Sequence, residues 1–352
     1  MKKGKGRVFV GVSGGVDSSV SAALLKKAGY DVVGVFIKVW HPDFLPCNWE
    51  RERMDAMRVC VRLGIPFCTF DAEAEYKEFV AEYLIQEYRR GRTPNPDVMC
   101  NKHVKFGSFL NFARERGADF IATGHYARVD ERGGSYRLLQ GVDKEKDQSY
   151  FLWTLSQDEL KHVRFPIGEY TKPEVRKLAK KFGLSTAEKK DSQGICFLGP
   201  VDMEEFLSHY IDTKPGEVIT QDGTVVGRHH GALIYTIGQR HGFEITEADT
   251  ERKPYYVVEK RILDNILVVS HNPNDPQFNK KDVVLENSHW VAGAPEAGRE
   301  YTARFRHRGE LYPCTVKGDT VNFREPQNGL ARGQSLVIYD KEECVGGGVI
   351  SW

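Results

Sequence analysis

The sequence predicts an α/β protein: a doubly wound parallel sheet followed by a small β-containing central domain and a C-terminal β-barrel. Three observations carry this. Through the N-terminal third, short β-branched runs alternate with amphipathic stretches, a pattern that right-handed crossovers turn into a parallel sheet. One of those runs, Val32-Val33-Gly34-Val35-Phe36-Ile37, is apolar almost throughout, as a strand buried on both faces must be. Beyond residue 210, helical spacing gives way to short β-rich runs broken by Gly, Pro, Asn and Asp, the punctuation of all-β domains. At 352 residues and 40% hydrophobic content the chain exceeds what one core serves, and the expected domains are 1–209, 210–278 and 279–352.

The elements follow in order. A strand at 8–12 runs into Gly11 to Ser19, and a helix at 18–28 carries Val20, Ala23, Leu24 and Ala28 inward before ending at Gly29. After the second strand at 32–37 come a helix at 50–63, a strand at 66–70, and a long helix at 75–90 carrying Phe79, Tyr83, Leu84 and Tyr88. A helix at 104–116 and a strand at 120–123 complete the alternation. Ligands of such sheets bind beyond the carboxyl ends of the strands, which places Ser13, Ile37, Asp71, Gly124 and His125 along one crevice. From Asp143 to about Gly199 the pattern reads as helical. Its helix at 171–182 buries Val175, Leu178, Ala179 and Phe182 and is expected to expose Lys172, Arg176, Lys177, Lys180 and Lys181 as a solvated face. Strand-like runs near 225, 255, 266, 301, 314 and 336 form the β domains.

Composition narrows the classes. A net charge of +1 neither announces nor excludes a nucleic-acid partner, because a balanced total can hide a basic face. Seven cysteines, an odd number scattered without a secretory signal, argue against a disulfide framework, and none has zinc or iron–sulfur spacing, so no metal ligands are assigned. No apolar run approaches the roughly 20 residues of a membrane span, so the expectation is a soluble, cytoplasmic protein without a membrane partner.

Three stretches carry chemistry. In Gly11 to Ser19, GVSGGVDSS, paired glycines let the backbone approach a ligand and the helix start leaves N–H groups unpaired, a combination that favours an anion. Neither the Gly-Lys-Ser/Thr P-loop spacing nor a dinucleotide fingerprint is present. The second stretch, GRTPNPDVMCN at 91–101, sets a carboxylate, Asp97, and a thiol, Cys100, three residues apart in a Pro-stiffened loop just before a helix. Lys102 and Lys105 close by would favour the Cys100 thiolate. In the third, Cys196 follows Lys189 and Lys190 across a small flexible Ser-Gln-Gly run, again in electropositive surroundings. Cys60 and Cys68 in apolar helix and strand positions, Cys314 and Cys344 in β segments, and Cys47 in a loop read as structural thiols. Taken singly, Cys100 and Cys196 would read the same way, but both lie in loops rich in Gly, Pro and polar residues.

The glycine loop resembles the SGGxDSS loop of the ATP pyrophosphatases, an adenine nucleotide α-hydrolase-like fold. Together with TGHYAR at 123–128, KDQSYFL at 146–152, KKDSQGICFLG at 189–199, YTIGQR at 235–240 and the GGGVI ending at 346–350, nearly the whole chain resembles the tRNA-specific 2-thiouridylases. That resemblance implies ATP-dependent 2-thiolation of the wobble uridine of tRNA, through an adenylated uridine and a cysteine persulfide, releasing AMP and pyrophosphate. It implies ATP, with Mg²⁺, on Gly11, Val12, Ser13, Gly14, Gly15, Val16, Asp17, Ser18, Ile37 and Gly124; the target base on Asn95, Pro96 and Asp97; and tRNA on Lys146, Asp147, Gln148, Arg306 and His307. It assigns sulfur handling to Cys100 and Cys196 and the uridine proton to Asp97, with a cysteine desulfurase or persulfide relay protein as sulfur donor. Arg304, Arg306, His307 and Arg308, with the lysine-rich helix, are the expected basic surfaces for tRNA. The two cysteines must come within disulfide reach, and a loop movement on tRNA binding is the expected route. Ile37 stands where the family usually has Met, and 41–54 matches poorly. A small-molecule ligase sharing the glycine loop is the alternative, although it would not need paired loop cysteines; a non-catalytic ATP-binding module is the other.

Overall fold

The computed structural model describes residues 5–45, 49–190, 194, 196, 201–246, 253–273 and 275–352. Strands β1 (Arg7–Gly11), β2 (Asp31–Lys38), β3 (Phe67–Asp71) and β4 (Phe120–Ala122) are joined by a hairpin, β5 (Ala127–Arg132) and β6 (Ser135–Gln140), to β7 (Val163–Arg164). The parallel sheet runs β3-β2-β1-β4-β7. Alternation along β1 sends Val8 and Val10 into one core and Phe9 into the other, so both faces are covered by helices. Helix α1 (Val16–Lys27) and helix α2 (Trp49–Leu63) pack on one side. Cys60 of α2 occupies the space a Cβ on Gly34 would need, which is why β2 carries a glycine amid β-branched residues.

Two long helices cover the other face, at 73–89 and 96–115, and each contains a π-helical stretch, Lys77–Glu82 and Cys100–Ser108. The second begins eight residues before the sequence pattern places it. Asn95 accepts the Val98 N–H and Pro96 takes the first helical position, so Asp97 and Cys100 belong to the helix and not to a preceding loop. Within 143–199, read as helical, 163–164 is instead β7, too short to show a period of its own. The hairpin β5–β6 was likewise absent from the sequence reading.

The central sheet is β10-β9-β8-β12-β11, with β8 (Gly216–Thr220), β9 (Val225–His229), β10 (Glu244–Ile245), β11 (Tyr256–Arg261) and β12 (Ile266–Ser270). The C-terminal strands are β13 (Lys280–Trp290), β14 (Glu300–Arg304), β15 (Tyr312–Lys317), β16 (Thr320–Gln327), β17 (Ser335–Asp340) and β18 (Glu343–Ile350). Strand β13 pairs with both β16 and β18, closing a six-stranded barrel that leaves no edge between them. The hairpin β5–β6 extends the same sheet, Leu138 pairing with Cys344, so part of the first domain is hydrogen-bonded into the third.

Candidate active site

At the carboxyl end of β1 the two loop glycines have different reasons to be glycine. Gly14 has φ +72°, and a Cβ there would lie 2.8 Å from the Glu52 carbonyl oxygen of α2. Gly15 is extended (φ −92°, ψ 166°), and a Cβ there would meet only Ser13 Oγ, at 3.4 Å. Nothing in the protein demands a glycine at 15, and the space above it faces the first turn of α1, whose leading N–H groups have no intrahelical partner. That cradle fits a phosphate. Ser18 Oγ accepts the Ser13 N–H at 3.2 Å and holds the loop closed. Val12 and Val16 are core residues flanking it, and Ile37 is buried, which leaves only its backbone to face a ligand.

Gly124 is set by packing. A Cβ on it would lie 2.6 Å from the backbone nitrogen of Ser18, so the end of β4 touches the start of α1. Asp17 accepts hydrogen bonds from Tyr126 Oη at 2.8 Å and from Lys172 Nζ at 2.8 and 2.9 Å. Lys172 is therefore buried and ion-paired, not part of a solvated face. The remaining charges of that helix are nearer the expectation, with Lys177, Lys180 and Lys181 exposed and Lys180 paired to Glu188.

The two cysteines meet between the 73–89 and 96–115 helices. Cys100 is fully buried and Cys196 partly exposed; their thiols are in hydrogen-bond contact without a disulfide. The resting structure thus already holds together the sulfurs that the sequence reading brought together by loop movement. Asp97 Oδ1 accepts the Cys196 N–H at 2.9 Å, Tyr76 Oη donates to the Cys196 carbonyl at 2.8 Å, and Lys105 Nζ donates to Cys196 Sγ at 2.9 Å. The two thiols, both expected in electropositive surroundings, differ in ionisation. Burial, and then the neighbouring Cys196, push Cys100 well above the ordinary thiol range. The Cys100 hydrogen bond, working against burial and aided by the Lys105 charge, lowers Cys196 to about 7. The Lys105 charge is felt by both thiols, but its ammonium hydrogen-bonds the one 91 residues away in sequence. Lys189 is committed to Asp55, at 2.9 Å. Residues 191–193, 195 and 197–200 of the third stretch, and Cys47, lie outside the described residues.

Burial raises Asp97 above the usual carboxylate range, while the Cys196 N–H and Lys105 pull it back. His125, buried with Nδ1 2.7 Å from Thr123 Oγ1, is kept well below its ordinary value by burial and by Lys105, and is neutral. Beside Asp97 opens a cavity of about 340 Å³ whose walls include Tyr88, Pro96, Gly194 and Met203 of the first domain and Gln334 of the barrel. Gln334 of the barrel donates to the carbonyls of Thr93 and Pro94 at 3.0 Å and fixes the loop before Asn95. Asn95 itself is buried as the helix cap.

The residues expected at tRNA divide. Asp147 is 1% exposed and its carboxylate is filled by the N–H groups of Gly141 and Ser149, the Ser149 hydroxyl and the Arg304 guanidinium. Its side chain is an interior anchor of the first domain to the barrel and is not available to RNA; Arg304, 5% exposed, leaves the basic surface for the same reason. Gln148 accepts the Tyr126 N–H at 3.0 Å, and His307 packs over Phe151 with Nε2 3.0 Å from the Asp147 carbonyl. Arg306 is exposed yet donates to the carbonyls of Ile237 and Gly329, tying the central domain to the barrel. Lys146 is partly exposed and Arg308 exposed.

Three family models match in succession: a tRNA methyl transferase HUP domain over 6–200, a tRNA methyl transferase PRC-barrel domain over 204–271 and an aminomethyltransferase beta-barrel domain over 280–350. The chain is 47% identical over 352 residues to the tRNA-specific 2-thiouridylase MnmA 2 of Geobacillus kaustophilus, covering 98% of this chain and 94% of that one. The chain belongs to the tRNA-specific 2-thiouridylase family. The Bacillus subtilis and Escherichia coli O139:H28 members are each 47% identical, over 98% of this chain and 94% and 96% of theirs. Several residues that this family member uses to build its site were not singled out from sequence: Tyr76, Tyr126 and Gln334. Lys172 offered a signal, since a cation at the first position of a helix opposes the dipole unless something else pairs it.

Proposed function

We infer that this protein is an ATP-dependent tRNA-uridine 2-sulfurtransferase acting on the wobble uridine of tRNA. The observation that carries the reading is the contact of Cys100 with Cys196 beside Asp97 at the wall of a cavity between the first domain and the barrel. At about 340 Å³ the cavity lies at the small end of ligand pockets, roughly 300–1,000 Å³, the size for one extruded base and not for a helix. Pro96 and Asp97 form its reading edge, with Asn95 behind them as the helix cap that sets their position. Asp97, raised by burial, is the group placed to take the uridine N3 proton as O2 becomes the nucleophile.

ATP supplies the activation of that oxygen as an adenylate, with pyrophosphate leaving. The chain's contribution is the Gly15 cradle and the α1 N-terminus for the phosphates, with the backbone at Ile37 and Gly124 near the nucleoside. Mg²⁺ enters on the phosphates, which suits an ion that keeps several waters and few protein ligands. Among the described residues no three His, Cys, Asp or Glu side chains cluster as a metal site.

Cys196, the partly exposed thiol, receives sulfur from a donor protein, a cysteine desulfurase or a persulfide relay. Its terminal sulfur forms the bond to C2 as AMP departs; Cys100 then attacks Cys196 Sγ, the sulfur–sulfur bond to the base breaks, and 2-thiouridine leaves a Cys100–Cys196 disulfide for a thiol reductant. Lys146, Arg308 and the exposed part of Arg306 are the tRNA-facing charges on this reading, and the protein works in the cytoplasm. No helix among the described residues is long and apolar enough to cross a membrane. Mass spectrometry of tRNA nucleosides after incubation with ATP, Mg²⁺ and a persulfide-bearing sulfur donor tests the function: the expected result is 2-thiouridine, and pyrophosphate release that depends on a small molecule instead of tRNA would favour the ligase alternative.

A further inference from the structure

Lys105 lies five residues after Cys100. In an α-helix, five steps of about 100° would turn it roughly 140° away from the cysteine. The stretch Cys100–Ser108 is π-helical, and its wider turn, hydrogen-bonded from i to i+5, brings position 105 round to the side of position 100. A Cβ on Gly107 would stand 2.9 Å from the carbonyl oxygen of Lys102, so a glycine sits where the wide turn is tightest. Single π turns inside α-helices are energetically poor and tend to be kept where they aim a side chain. Here the chain aims an ammonium at Cys196 Sγ, 2.9 Å away.

We propose that Lys105 is the counter-cation that holds Cys196 as a thiolate ready to accept sulfur, while Cys100 beside it remains a thiol. The proposal deepens the reading of Cys196 as sulfur carrier and rests on it. Among the described residues, the groups facing Cys196 are Cys100, Asp97 and Lys105 from the 96–115 helix and Tyr76 from the 73–89 helix. Of these, Lys105 alone is a cation; Asp97 opposes the thiolate, and Cys100 and Tyr76 are neutral donors. In the step it serves, the Cys196 thiolate attacks the outer sulfur of a donor protein's persulfide. A new sulfur–sulfur bond forms at Cys196, the donor's breaks, and the donor leaves as its own thiolate. No proton passes through Lys105, and its positive charge then faces the carried terminal sulfur. Cys100, fully buried and held as a thiol by that burial against the pull of Lys105, is kept out of this first exchange and enters only once the carried sulfur is bonded to C2.

The test is the pH profile of iodoacetamide alkylation of Cys196, read by peptide mass on the full chain without tRNA or ATP, in the wild-type and Cys100→Ser backgrounds. The wild-type midpoint is expected near about 7. Lys105→Met should raise it by about one to three units, the usual effect of losing an opposite charge at this range, and Lys105→Arg should leave it near the wild type. Lys105→Gln keeps an N–H donor without the charge and should behave as Met does; it also serves if the Met variant does not fold. Folding is checked by circular dichroism and by continued protection of Cys60 and Cys344. A folded Met or Gln variant with the wild-type profile overturns the proposal, even if it has lost thiolation activity, since a merely structural lysine would give that pattern. Wild-type protein that yields no 2-thiouridine would sink the carrier reading instead, whatever the alkylation profile shows.

Discussion

Replacing Gly15 by valine should separate the ligand's demand for glycine from the fold's. At Gly15 the backbone is extended and a side chain would meet only Ser13 Oγ at 3.4 Å, so the fold tolerates one. Gly15→Ala is expected to leave stability unchanged or raise it by about 0.4–1 kcal/mol, through the lost freedom of the unfolded chain. Gly14→Ala is the control. It carries the left-handed penalty of about 1–2 kcal/mol and drives a Cβ to within 2.8 Å of the Glu52 carbonyl, so it should destabilise clearly. The assay is thermal unfolding with and without ATP and Mg²⁺, beside tRNA-dependent pyrophosphate release. A nucleotide at 100 times its dissociation constant stabilises wild-type protein by about 2.7 kcal/mol. Gly15→Val should fold normally, show none of that stabilisation and release no pyrophosphate. If it is stabilised by ATP as the wild type is, the phosphate does not lie against Gly15 and the cradle argument fails.

Asp17→Asn should also abolish pyrophosphate release, but less cleanly, because it removes the carboxylate charge paired with buried Lys172; unfolding midpoints will fall as well, and normal release would remove the loop from the reaction. Cys196→Ser should retain pyrophosphate release and make no thiouridine, whereas Cys100→Ser should load sulfur on Cys196 and stall at transfer; non-reducing peptide maps after one wild-type turnover should show the Cys100–Cys196 link, and full turnover by Cys196→Ser with no other cysteine persulfidated would reject the mechanism. Arg304→Met leaves Asp147 buried without its cation and should cost about 3–5 kcal/mol, read as earlier unfolding and faster proteolysis between the first domain and the barrel; a wild-type unfolding curve would contradict the anchoring role. Arg308→Ala should lower the log–log salt slope of tRNA binding by about 0.7 to 0.9 with ATP affinity unchanged, and an unaltered slope would return Arg308 to plain solvated surface.

The order of elements in the first domain was legible in sequence because periods of 2 and 3.6 report which faces are buried, and a sheet covered on both sides writes that record strongly in Val8 to Val12 and Val32 to Ile37. The glycine loop and the two cysteine stretches were legible because their unusual residue types lie side by side in the chain. The start of the second long helix was misplaced by eight residues, since Pro94 and Pro96 look like loop until Asn95 is seen to cap Val98. Strand β7 was missed because two residues carry no period, and its place depends on β4 alongside it. Partnership between charges was beyond the sequence altogether. Lys172 with Asp17, Arg304 with Asp147, and Lys105 with Cys196 are 155, 157 and 91 residues apart, and each basic residue reads from sequence as surface or as serving a neighbour. A long cationic side chain can reach several partners, and only packing removes the water that would otherwise make the choice indifferent. Sequence thus marked two candidate thiols, and the tertiary structure decided which of them the Lys105 ammonium touches.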